Sequence, residues 1–313
     1  MRAYLARRLA AMVPIVILVG TIVFLLIHLT PGDPAVIMLG PDAPDEAVTR
    51  LRQELGLDAP LLTQWFRWFQ KVLVGDLGTS IFFGLPVTTT IRQHLLPTVL
   101  LSALAISISV GIGVPAGIIS AVRRGSLMDQ GVTLVAFLGV SVPEFWLALN
   151  LVLFFSVHLG LLPVAGYVSP TEGLWTSLRY MALPAFTMGF VQSALIARMT
   201  RAAMLDVVAQ DYMRTARAKG LSSQRVTLRH AFPNALIAVV TVVGIIFSVM
   251  MGGNVVAETI FTIPGVGQLL ITSVLRRDYP VIQGIVLLIA AAYVVINLLV
   301  DVVYAAVDPR IRY

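Results

Sequence analysis

Residues 211–234, DYMRTARAKGLSSQRVTLRHAFPN, run directly into residues 235–256, ALIAVVTVVGIIFSVMMGGNVV. The second stretch has no charged side chain and about the length that an α-helix needs to cross roughly 30 Å of hydrocarbon. The first is polar and basic, with Arg214, Arg217, Lys219, Arg225 and Arg229. It opens with good helix formers, Gly220 stands where a helix ends in the left-handed conformation, and Ser222 or Ser223 can cap a second helix. The pattern predicts helix, glycine turn, helix, and then a membrane span. Such a basic loop fits contact with either anionic lipid or an acidic protein surface, and charge alone does not choose between them.

Outward from this stretch, hydropathy gives further apolar blocks near Leu9 to Leu29, Pro97 to Ala121, Val132 to Val157, Met181 to Met204 and Ile282 to Ala305, with Ala235 to Val256 completing six. Over all 313 residues, 58% are hydrophobic and 12% charged, against about 45–50% and about 25% for a soluble domain. The expected fold class is an all-α integral membrane protein with six transmembrane helices, and an even number puts both termini on one side. If that side is the cytoplasm, basic residues outnumber acidic ones in the inner segments and not in the outer ones, as the positive-inside rule requires. The net charge of +6 thereby belongs to membrane orientation and not to nucleic-acid binding. The first block follows Arg2, Arg7 and Arg8 like a signal peptide, but it is too long for a signal core and is followed by Pro31-Gly32-Asp33-Pro34, so it reads as a retained span. With no cysteine, disulfides, thiolate metal sites and thiol catalysis are excluded.

These spans divide the chain into a tail and first span (1–29), an extracytoplasmic segment (30–96) and a five-span core (97–313) with an inner loop at 205–234. In the outer segment, Asp45 to Leu55 predicts an amphipathic helix with Asp45 as N-cap and Val48, Leu51 and Leu55 on one face. The aromatic run Leu62-Thr63-Gln64-Trp65-Phe66-Arg67-Trp68-Phe69 suits the headgroup layer. The segment reads as a membrane-anchored ledge or as a docking surface for an external partner.

The inner loop resembles the signature of the membrane-spanning permeases of binding-protein-dependent ABC importers: Glu-Ala-Ala, three residues, Gly, nine residues, then Ile-x-Leu-Pro. Ala216, Gly220 and Pro233 match it in spacing, while Arg214, Thr215, His230 and Phe232 stand in place of its Glu, first Ala, Ile and Leu. Tyr212-Met213-Arg214-Thr215-Ala216-Arg217-Ala218-Lys219-Gly220 is similar to the form used by the dipeptide, oligopeptide and nickel class. Other matches to that class run along the chain: Pro31 to Pro34, Gly75 to Ser80, Pro143-Glu144-Phe145-Trp146, Leu161-Leu162-Pro163 with Gly166, Glu258 to Phe261, Ile263 to Gly267, Arg277 to Pro280 with Gln283, and Asp308 to Arg312.

The resemblance implies an importer built from this permease, a second homologous permease subunit, two ATP-binding subunits and an extracytoplasmic solute-binding protein, in a bacterial cytoplasmic membrane. ATP and Mg would be bound by the ATPase subunits. This chain has no Gly-x-x-x-x-Gly-Lys-Ser/Thr loop and no Gly-Lys pair, so it lacks the usual phosphate cradle. The resemblance makes the helix before Gly220 a coupling helix seated in a groove of an ATPase subunit, with Asp211, Tyr212, Arg214, Thr215, Ala216, Arg217, Lys219 and Gly220 as its residues. His230, Pro233 and Asn234 would pack the loop behind it. Asp76, Pro264, Gly265, Arg277 and Asp278 are candidates for binding-protein docking or an outer gate, with Ile263 to Gly267 as an outer turn; ordinary loop structure would explain each as well. The cargo implied is di- or oligopeptides, with glutathione and nickel chelates as alternatives.

Some features stand apart from that signature. Ser109, Gly113, Gly117 and Ala121 form one row of small residues, and Ala103, Ser107, Gly111 and Pro115 a parallel one; such rows let helices approach closely in lipid, and a role in shaping a path is the alternative. Glu144, beside Pro143 and followed by Phe145 and Trp146, is an acidic residue expected within a span, which points to the translocation path or to a polar contact with the partner permease. His28, His94, His158 and His230 show no metal-ligand spacing. An ion-coupled transporter or channel would show chained ionisable groups at membrane depth, whereas Arg198, Arg201 and Asp301 lie toward the inner ends of spans. An intramembrane hydrolase would need a nucleophile with its base, or clustered metal ligands, and neither is recognisable.

Overall fold

Apolar runs and proline punctuation set the elements. The computed structural model describes residues 2–29, 32–40 and 42–307. In chain order the helices are α1 (Arg2–Leu29), α2 (Pro34–Leu39), α3 (Asp45–Leu55), α4 (Leu61–Leu73), α5 (Val87–Val122), α6 (Leu127–Ser141), α7 (Glu144–Leu151), α8 (Leu174–Val208), α9 (Asp211–Ala218), α10 (Ser223–Arg225), α11 (Phe232–Met251), α12 (Val255–Ile260), α13 (Val266–Leu275) and α14 (Tyr279–Val307). Wider π-helical turns, Val152–His158 and Val226–Ala231, continue α7 and join α10 to α11. Among the described residues there is no strand, only the isolated bridge between Thr79 and Pro86.

Four helical stretches are long and apolar enough to span a bilayer: Val87–Val122, Leu174–Val208, Ser223–Met251 and Tyr279–Tyr304. The block expected as one span from Val132 to Val157 is instead α6 followed by α7 with its π-helical turn, bent by 101°, which makes a fifth span if the pair is counted as one. Pro143 causes the break. It has no N–H to continue α6, and it drives Val142 into extended backbone (φ −78°, ψ 123°). Within α1 the apolar stretch is Val13–Leu29. The expected fifth span, Ala235 to Val256, starts earlier and ends at Met251. Asp45 is the first residue of α3 and not its cap, since extended Pro44 takes that position without a side-chain bond.

The chain divides into two compact units, one of residues 97–264 and 295–307, the other of 2–96 and 265–294. In the first, a core of Leu101, Ala105, Met181, Met188, Ile196, Ile246, Met250 and Phe261 is buried. The expected row of small residues on α5 is a packing seam against α8. Ser109 Oγ donates to the carbonyls of Ala105 (2.8 Å) and Gly189 (3.0 Å). A Cβ added at Gly113 would lie 2.7 Å from the Ser193 carbonyl, and one at Gly117 2.5 Å from that of Ala197. The parallel row, Ala103, Ser107, Gly111 and Pro115, stays exposed. Two polar bonds fix α5 to α11 and α12: Ser102 Oγ to the Met250 carbonyl (3.1 Å) and Thr98 Oγ1 to Glu258 (2.7 Å), which is fully buried.

In the second unit, α4 lays its aromatic face on α1. Trp65 Nε1 donates to Thr21 Oγ1 (3.1 Å), His28 Nε2 lies 3.0 Å from Gln64 Oε1, and the Phe69 ring meets Trp65 at a tilt (4.4 Å) and Trp68 edge-on (5.2 Å). Leu62 and Phe66 remain exposed on α4. Arg52 bridges Asp33 (2.5 Å) and Asp58 (2.7 Å) at largely exposed positions, where ion pairs contribute little stability. Val87, Ile91, Val266, Leu269, Val281 and Ile285 form this unit's own core.

Candidate functional site

α8 continues to Val208, and only Ala209 and extended Gln210 separate it from α9. At 35 residues it is about 52 Å long, more than the hydrocarbon thickness. One side of α9 is anchored: Met213 is fully buried among Ala121 of α5, Met204 of α8, Val226 and Ala231 of the π-helical turn and Ala235 of α11, with Ala216 half-buried beside it. The other side is open. Asp211, Tyr212, Arg214, Thr215, Arg217 and Lys219 are all exposed, and Arg225 and Arg229 extend the positive surface. Arg214 sits 3.5 Å from Asp211, but both side chains are solvated, so the contact adds little.

Gly220 ends α9 as expected, in the left-handed region (φ 77°), with its N–H on the Arg217 carbonyl (2.9 Å). A Cβ there would meet nothing within 4 Å; the backbone conformation, and not space, requires glycine. Ser222 precedes α10 in extended backbone, although its hydroxyl makes no cap bond. Pro233 accounts for the π-helical turn before it: lacking an N–H, it leaves the Arg229 carbonyl without its helical donor, and the backbone widens. Asn234 Nδ2 donates to the His230 carbonyl (2.7 Å); His230 is half-buried, while Pro233 and Asn234 are exposed. The expected loop residues thus form one continuous helix–turn–helix with a fixed base and a charged free face.

The other candidates lie elsewhere. Glu144 opens α7 and accepts a hydrogen bond from Asn254 Nδ2 (2.8 Å), whose Oδ1 in turn caps α12 at Ala257 N–H (3.4 Å). Its partner is therefore within this chain, and neighbouring Pro143, Phe145 and Trp146 are exposed. Ile263 is fully buried, Pro264 is exposed, Gly265 is buried, and Val266 and Gly267 already belong to α13, so the expected turn is shorter than its motif. Asp278 is buried, accepting from Ser80 Oγ (2.5 Å) and Phe82 N–H (3.3 Å), while Arg276 stacks over the Phe82 ring at 3.6 Å. Arg277 (φ 58°) and Asp76 are exposed, Asp76 holding the Gly78 N–H (2.9 Å).

Sequence reasoning missed the buried carboxylate at Asp129. Both oxygens are held by Arg201 (Nε to Oδ1 2.8 Å, Nη2 to Oδ2 2.9 Å), with Ser120 Oγ on Oδ1 and the Gly125 N–H on Oδ2 at 2.9 Å. The only local signal was an acid and an arginine flanking apolar blocks, which does not reveal that they pair.

Several helices long and apolar enough to span a bilayer, with a short charged helix between two of them, define a polytopic membrane protein. Residues 113–313 match the family described as binding-protein-dependent transport system inner membrane component, and residues 1–84 match that family's N-terminal region. The chain belongs to this family. It is 43% identical over 313 residues to a probable peptide ABC transporter permease protein of Sinorhizobium fredii and 45% identical to a putative peptide transport system permease protein of Brucella abortus, all of both chains being covered in each case. It is also 44% identical over 311 residues, 99% of each chain, to a glutathione transport system permease protein of Salmonella paratyphi A. An inward-facing structure of the MetNI methionine ABC transporter shares the fold, with a TM-score of 0.58 at 19% identity over 71% of this chain and 97% of that one. The protein is accordingly a multi-pass permease of the cytoplasmic membrane, a transport subunit whose family works with separate ATPase subunits, a substrate-binding protein and a second permease.

Proposed function

We propose that this chain forms half of the translocation pathway of an ATP-driven importer for di- or oligopeptides, working by alternating access. Its complex would contain a second homologous permease, two ATP-binding subunits that hold ATP and Mg, and one extracytoplasmic binding protein. The chain would cross the membrane six times with both termini in the cytoplasm, α1 being the first span, 30–96 the outer segment, 97–313 the permease core and 205–234 the inner coupling loop.

The observation that carries this reading is the two-sidedness of α9. Met213 fixes one side into a base made from α5, α8 and α11, and the opposite side offers Tyr212, Arg214, Thr215, Arg217 and Lys219 to a partner. Coupling requires a rigid element attached to the moving helices, with contacts that differ between two states. A free, purely lipid-binding helix would not need so firm an anchor. Peptide cargo is supported by the relatives from Sinorhizobium and Brucella; glutathione, itself a tripeptide, is the second reading, supported by a Salmonella relative of equal similarity. Because the chain has no cysteine, Tyr212→Cys introduces a single thiol. In the assembled complex it should cross-link to an ATPase subunit with a short bifunctional reagent. Labelling by lipid-phase reagents alone, with no cross-link, would reject the reading.

A further inference from the structure

We infer that Asp129 and Arg201 are positioning residues for transport, locking the α5–α6 turn to α8 so that the base beneath α9 moves as one body; the inference rests on the reading of α9 as the ATPase contact. Asp129 is 5% exposed and is saturated by charge-assisted and neutral hydrogen bonds from three places in the chain. Ser120 belongs to α5, Gly125 to the turn, and Arg201 to α8. The arginine contributes a two-pronged contact, Nε to one oxygen and Nη2 to the other, the geometry that fixes orientation as well as distance.

Its position gives the cluster a mechanical meaning. Ala121, next to Ser120, and Met204, one turn after Arg201, are two of the residues that bury Met213 of α9. About one turn before the cluster on each helix, Gly117 brings α5 against Ala197 and Thr200 of α8. Polar clamp, apolar anchor and close-packed seam therefore follow one another along the same two helices. A push on α9 reaches α8 through the chain itself, and this contact region passes it to the α5–α6 turn alongside the packing of α6 on α8. Hydrophobic packing is non-directional, and a bidentate ion pair supplies the directional constraint it lacks.

The test uses the complete importer in lipid. Spin labels at Arg124→Cys, in the turn, and Ala218→Cys, on α9, are both exposed and are the subunit's only thiols. Pulsed EPR should give one narrow distance that is the same in nucleotide-free and ATP-trapped states of the parent. In Asp129→Asn the distance should change between those states, and uptake per ATP hydrolysed should fall by roughly tenfold, a usual scale for site-to-site coupling. An assembled Asp129→Asn complex with an unchanged distance and undiminished uptake per ATP overturns the inference. Should that variant not assemble, Arg201→Lys, which keeps the charge and loses the fork, decides by the same two readouts. The Tyr212→Cys cross-link separates the two levels: its loss in the parent removes the coupling reading itself, whereas its retention with normal coupling in Asp129→Asn removes this inference alone.

Discussion

Gly220 and Met213 do opposite work on α9, one freeing the chain to reverse and the other pinning it. At Gly220 the penalty for a side chain is conformational, about 1–2 kcal/mol for an L-residue in the left-handed region, because nothing occupies the space around it. Gly220→Ala should thus leave an assembled importer with reduced uptake, whereas Gly220→Pro, whose φ is locked near −65°, should abolish uptake while ATP hydrolysis continues. Uptake and hydrolysis measured on the same proteoliposomes check both. Met213→Ala should cost about 2–5 kcal/mol of local packing and uncouple in the same direction. A bulky residue at half-buried Ala216 should act likewise by lifting α9 off its base. Gly220 was legible in the sequence because a glycine after a helical run is a local signal. Asp129 with Arg201 was not, since the two are 72 residues apart and nothing in either neighbourhood specifies the other.

Glu144 shows the same limit. Its rarity in an apolar block flagged it, but Asn254, the partner that holds it, is 110 residues away. If the carboxylate serves transport by direct contact with cargo, Glu144→Gln should lower uptake for some substrates of a panel and not others. If its work is to hold Asn254 at the cap of α12, Glu144→Gln and Asn254→Ala should lower thermal stability together and leave the substrate profile unchanged.

Among elements, the α5–α8 seam is the most exacting. Its spacing of small residues was readable, because four-residue periodicity places them on one helix face. Which of two parallel rows is buried was not, since both are equally small and the choice depends on where α8 lies. The structure selects Ser109, Gly113, Gly117 and Ala121. Gly117→Leu, with its Cβ 2.5 Å from a backbone oxygen, should cost more than the usual overpacking penalty of about 1–3 kcal/mol and prevent folded accumulation. Gly111→Leu, with nothing within 4 Å, should leave this subunit's folding intact. Size-exclusion profiles of the two variants after detergent extraction make the comparison. The broken span is the complementary case: hydropathy reads residues 132–157 as one apolar block, whereas the 101° bend at Pro143 depends on a missing N–H and on what α7 packs against, which hydropathy does not report.

At the scale of the whole molecule, the chain supplies apolar helices long enough to span, a braced charged helix and an amphipathic segment, but no phosphate loop of its own. A permease so built needs ATPase subunits to work, which is what membership of the binding-protein-dependent family entails. Reconstitution measures this most directly: purify the subunit with whatever assembles around it, return it to lipid, and follow ATP hydrolysis with binding proteins loaded in turn with dipeptide, glutathione or nickel. Co-purified ATPases stimulated by a peptide-loaded binding protein, together with uptake of that peptide, is the expected result. A stable, self-sufficient homomer that passes solute without ATP would contradict the account.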